Sequence, residues 1–76
     1  MKNLTLIATL ADVRQAFADG SVHTAREQHR ITQQESADAI GVPIQSWISW
    51  EHGRRRPKRA GALAAAPLLR SWGVID

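Results

Sequence analysis

The 76-residue chain has no cysteine, three histidines and three prolines. Without cysteine there is no disulfide framework, no thiolate nucleophile and no Cys-based zinc site, in agreement with a reducing compartment. His23, His29 and His52 fall at no spacing that suits a metal-binding helix pair, and neither a Ser-His-Asp set nor a Gly-rich phosphate loop is recognisable. An enzyme is therefore not expected, and no cofactor or metal is implied. The apolar runs fall far short of the roughly 18 residues a membrane helix needs. Met1–Gly20 carries a lone Lys2 with Asp12 and Asp19, so it does not read as a signal peptide. No internal repeat or low-complexity linker interrupts the chain, and a soluble, cytoplasmic protein is expected.

What is present fits one ordered domain. Hydrophobic residues make up 43% and charged residues 22%, a balance that disordered chains lack. A chain this short buries only about 60% of the surface exposed when unfolded, so its core must use nearly every large apolar residue. The net charge is only +3, but its distribution is uneven. Residues 31–53 contain three acids and no Lys or Arg; Arg54, Arg55, Arg56, Lys58 and Arg59 then fall within six residues. Such a run reads either as a solvated turn or as a phosphate-binding segment.

Taken in order, Leu6, Leu10, Val13 and Phe17 lie on one helical face. Thr9 with Asp12 suggests a capping box and Gly20 a stop, which predicts a helix over 9–18; a start as early as Leu4 is the alternative. That face either covers the core, the simpler reading, or meets another subunit. Ser21 predicts the N-cap of a second helix running to His29, with Val22, Ala25 and Arg26 inward. A buried Arg26 requires a partner. Thr32-Gln33-Gln34-Glu35 is a capping box, and the helix it opens carries Ala37 and Ile40 inward and stops at Gly41. Pro43 opens the next helix at its first position, followed by Ile44, Trp47, Ile48 and Glu51 at three- and four-residue spacings, and Gly53 ends it. Two helices of about eight residues joined by so short a turn make a helix-turn-helix. A last helix is expected over 60–72, weakened at Gly61 and kinked or divided at Pro67, with Leu63, Leu68, Leu69 and Trp72 as core or subunit contacts.

Arg26, Thr32-Gln33, Ala37, Gly41-Val42, Trp50-Glu51, Gly53, Arg54-Arg55 and Pro57, at these spacings, resemble the Cro/repressor-type (XRE-like) helix-turn-helix family over residues 21–57. The resemblance implies an all-α, compact lambda-repressor-like bundle of about five short helices. It implies a sequence-specific DNA-binding transcriptional regulator, a repressor of bacterial or phage origin, found in the cytoplasm with the nucleoid. In that family the helix at 43–51 lies in the major groove, which admits one α-helix whose first residues reach base edges. By the match, Ile44, Gln45 and Ser49 occupy base-reading positions, with Gln45 suited to adenine N6 and N7 and Ile44 to a thymine methyl. Gln33, Ser46 and the run Arg54, Arg55, Arg56, Lys58 and Arg59 fall where phosphates are held, positioning the protein without reading sequence. Arg26 and Glu51 take the places of an inward ion pair. Because one helix contacts few base pairs, a homodimer on two half-sites is expected, through Leu4–Ile7 or Leu68–Ile75.

The rival function is a protein-interaction module on the same fold, such as an antitoxin or a small phage protein binding a host factor. A membrane-surface role for the basic run is more distant, since the run lacks interleaved aromatics and an amphipathic helix. The chain departs from the family pattern at Pro43, where a capping hydroxyl is usual, at Ser36, where leucine is usual, and at Trp47, where a smaller aliphatic residue is usual. Our hypothesis is that the Trp47 indole fills the space the missing leucine leaves. Trp47→Ile is then expected to destabilise the fold, and Ser36→Leu to restore part of the loss; additive effects in a denaturation double-mutant cycle would refute the compensation.

Overall fold

The structure, a computed structural model, describes residues 4–76; Lys2 and Asn3 lie outside the described residues. Five helices follow one another: α1 (Leu4–Ala18), α2 (Ser21–Gln28), α3 (Gln33–Ile40), α4 (Ile44–Glu51) and α5 (Arg59–Ser71), with no strand among the described residues. The all-α expectation holds.

Four helices end with the same paired bonds. Ile31 N–H reaches Arg26 O (3.1 Å) and Arg30 N–H reaches Glu27 O (3.0 Å); the equivalent pairs are Val42 to Ala37 with Gly41 to Asp38, Arg54 to Ser49 with Gly53 to Trp50, and Val74 to Leu69 with Gly73 to Arg70. This arrangement satisfies otherwise orphaned carbonyls but needs one residue in the left-handed region. Gly41, Gly53 and Gly73 supply it at φ +72 to +73°, whereas after α2 the position is held by Arg30 at φ +57°.

Several expected boundaries shift. α1 starts at Leu4, the alternative reading: Leu4–Ala8 contains no breaker, and Leu6 extends the apolar face backwards. Thr9 is therefore inside the helix rather than capping it, and its hydroxyl accepts from Arg70 Nη2 at 3.2 Å. Ser21 does not cap α2 but is its first residue. The Asp19 carboxylate reaches past Gly20 (φ +85°) and accepts from both the Ser21 hydroxyl and the Ser21 amide. These two bonds hold the Asp19 carboxyl below its ordinary value. The Thr32/Glu35 capping box of α3 is present as expected, and the Thr32 amide, followed by its hydroxyl, likewise lowers the Glu35 carboxyl. Pro43 sits just outside α4 as an extended N-cap (ψ 143°) rather than as its first turn, and no side chain caps that helix. α5 runs through Pro67 without dividing; the missing amide costs only the bond to the Leu63 carbonyl, in an exposed part of the helix.

The core draws on every helix. Val13, Ala16 and Phe17 of α1 meet Val22 of α2, Ala37 of α3, Trp47 and Trp50 of α4, and Ala62, Ala65, Ala66 and Leu69 of α5. The alanine face of α5 lets large rings approach closely. Phe17 meets Trp47 and Trp50 edge-on, with centroids 5.2 and 5.4 Å apart, and Trp72 meets Trp47 at 6.3 Å; such pairs each contribute about 0.5–1.5 kcal/mol beyond burial. His29 stacks on Trp72 (interplanar angle 17°). Ser36 is also buried, and its hydroxyl donates to Thr32 O.

Gly61, which weakens α5 by propensity, is required by packing. A Cβ there would lie 2.7 Å from Cη2 of the buried Trp50 indole. Gly61→Ala is accordingly expected to lower stability by about 1–3 kcal/mol through overpacking, the opposite sign to the gain of about 1 kcal/mol from helix propensity alone. Chemical denaturation of the two proteins measures which effect wins.

Candidate nucleic-acid interface

Helix α4 carries a single charge, Glu51, and the fold turns it inward. The Glu51 side chain is 1% exposed and that of Arg26 10%. Arg26 donates from Nε to Oε2 (2.7 Å) and from Nη2 to Oε1 (3.1 Å), a two-pronged pairing of guanidinium with carboxylate, and from Nη1 to Ile31 O (2.8 Å). Trp47 Nε1 donates to Oε2, Gln33 Nε2 donates to Oε1 at 3.2 Å, and His23 Nδ1 lies 3.1 Å from the same oxygen. The other His23 nitrogen faces Glu27 Oε1 at 3.2 Å. Burial pushes the Glu51 carboxyl up, but the bonds from Arg26, His23, Trp47 and Gln33 outweigh it and hold the group below its ordinary value. The ion pair expected from the sequence is therefore formed, within a larger cluster joining α2, α3 and α4.

With Glu51 inward, the outer side of α4 presents Gln45, Ser46 and Ser49. These three line an open groove of about 500 Å³, closed on its other side by Arg55, Arg56 and Lys58 and floored by Trp50 and Gly61. No acid lines it. The loop that brings the cations there leaves α4 through Gly53 and is fastened at Pro57, which is fully buried and whose carbonyl accepts from Arg14 Nε at 2.8 Å. Amide, hydroxyl and guanidinium donors thus share one concave surface, an arrangement chemically suited to a polyanion with polar edges.

No protein-family model, curated protein or solved structure matches the chain.

The other residues singled out by sequence are placed unevenly. Gln45, Ser46, Ser49, Arg55, Arg56 and Lys58 converge in the groove, while Arg54 and Arg59 are exposed but do not line it. Ile44 is half-buried and packs on the core. Gln33 commits one amide hydrogen to Glu51. Sequence reasoning passed over Trp50 and Gly61 as parts of this surface and Arg14 as the residue that fastens its loop; Gly61 and Arg14 come from other helices, and no local pattern marks them. Among the described residues no group of three or more potential metal ligands gathers, and no helix is long and apolar enough to cross a membrane.

The cluster makes stability depend on pH. A carboxyl lowered by folding contributes fully above its ordinary value, here 4.5, and the contribution is lost as pH falls through the lower folded value. At neutral pH Glu51→Gln leaves the buried Arg26 unpaired and is expected to cost about 3–5 kcal/mol. Thermal melts over descending pH are expected to show wild type and variant converging below 4.5. A constant gap would exclude the carboxylate as the source.

Proposed function

We propose that the protein is a sequence-specific DNA-binding transcriptional regulator of the Cro/repressor type, a bacterial or phage repressor that acts through binding and not through catalysis. The observation that carries this reading is the acid-free groove in which the polar face of α4 meets the basic loop. Duplex DNA offers both features the groove matches: a dense line of phosphates for Arg55, Arg56 and Lys58, and base edges for a helix laid in the major groove. Gln45, exposed and without a protein partner among the described residues, is the principal base reader, paired with adenine; Ser49 assists it. Ile44 contributes only the part of its side chain that the core leaves uncovered. Arg54 and Arg59 supply further positive charge outside the groove, and Gln33 reaches a phosphate only with the amide atoms not held by Glu51.

The reading includes a homodimer, since one α4 spans too few base pairs for useful selectivity. Of the two candidate surfaces, the tail is taken up internally: Leu69 is buried, and Leu68, Trp72, Val74 and Ile75 pack on the chain's own core. Leu4 and Ile7 stand 63% and 58% exposed, and favour the N-terminal end of α1.

Two substitutions separate the roles. Selection of bound fragments from genomic DNA is expected to yield sites with two half-sites about one helical turn apart. On the best site Arg55→Ala is expected to weaken all duplexes alike and reduce the slope of log K against log salt by about 0.9. Gln45→Ala is expected to cost about 1–3 kcal/mol on that site and to relax the preference at one base pair. A flat sequence preference in the selection would overturn DNA reading in favour of a protein partner on this surface.

A further inference from the structure

Beside the groove lies a second cleft, of about 300 Å³, lined by Arg14, Arg56, Pro57 and Lys58. We infer that it binds a backbone phosphate of the same duplex, so that the phosphate contacts continue past the basic loop onto α1; this rests on the DNA-binding reading above.

Three observations meet there. Arg14 comes from α1, 43 residues away from the carbonyl it holds, and its bond to Pro57 O uses Nε alone. Among the described residues its two Nη groups make no hydrogen bond and no ion pair. Arg14 is half-buried, so its charge is less screened than that of a free surface arginine. The side chains sharing the cleft are Arg56 and Lys58, and no acid lines it. Three cations gathered without a counter-charge repel one another, and a bound anion relieves that repulsion.

The guanidinium is also fixed in place. With Nε held by a carbonyl and Pro57 buried, less side-chain freedom is lost when the Nη edge meets phosphate oxygens, and a fork of parallel N–H groups matches that geometry. Continuity supplies the choice of anion: Arg56 and Lys58 line both the cleft and the reading groove. A strand lying along the groove therefore brings its own backbone to the cleft. Anchoring the loop and gripping the phosphate are two uses of one side chain, separable by charge.

The test compares wild type, Arg14→Gln and Arg14→Lys on one selected duplex across a salt series, with melting curves for each protein. Arg14→Gln is expected to lose about 8-fold in affinity near 0.1 M salt and to reduce the salt slope by about 0.9, the release of one phosphate's counterions. Arg14→Lys is expected to keep the wild-type slope. Sequence preference should not change in either variant. Weaker binding with an unchanged slope in Arg14→Gln would mean that Arg14 only fastens the loop, and would overturn the inference while leaving the DNA reading intact. Absence of duplex binding by the wild type would overturn both. Should Arg14→Gln fail to fold, the wild type decides: guanidinium resonances of isotope-labelled arginine, assigned through Arg14→Lys, are expected to shift on adding the duplex, and an unmoved Arg14 signal would overturn the inference.

Discussion

The whole arrangement depends on where one carboxylate is held. Glu51 is the last residue of α4, and its two oxygens accept from Arg26 of α2, Gln33 of α3 and Trp47 of α4 itself, with His23 Nδ1 of α2 at 3.1 Å. A buried ion pair is weak evidence for stability, because desolvation consumes much of the attraction. Its effect here is positional. The four contacts from α2 and α3 fix the rotation of α4 about its axis, and that rotation decides which side chains face outward.

Two consequences follow from this rotation. The indoles of Trp47 and Trp50 are carried into the core against Phe17, and Trp50 in turn demands a glycine at position 61. The opposite side of α4 is left with an amide and two hydroxyls and no charge, so the positive charge that faces the groove comes from the following loop. That loop is not free: the bond from Arg14 and the burial of Pro57 hold it against α1 and α5. An uncharged polar face and a separate cationic rim therefore arise from one packing solution.

The parts legible in the sequence are those whose cause is local. The capping box at Thr32 and Glu35, the left-handed glycines at 41 and 53 and the spacing of Trp47 and Glu51 locate α3, the turn and α4, because each acts within four or five residues along the chain. The misplaced boundaries have equally local explanations. Thr9 with Asp12 has the spacing of a capping box, but the apolar face already includes Leu6 and the helix runs back to Leu4, and Ser21 was displaced as a cap by an aspartate two residues earlier with a longer reach. Pro67 broke nothing, since a proline removes only one bond and the helix around it is otherwise rich in alanine and leucine.

By itself, then, the sequence determined the helices, their order, the need of an inward Arg26 for a partner and the segregation of positive charge into residues 54–59; Glu51 as that partner came from the family resemblance. Capping, periodicity and charge runs are properties of neighbours in the chain. Only the tertiary structure decided that Gln33 and Trp47 join that pair, that Ile44 is half taken into the core, that Gly61 makes room for an indole and that Arg14 stands beside Arg56 and Lys58. Apart from the Trp47–Glu51 bond within α4, each of these is a meeting of residues from separate segments of the chain. No pattern along the chain encodes it, because it depends on how α4 is rotated and how closely α1 and α5 approach.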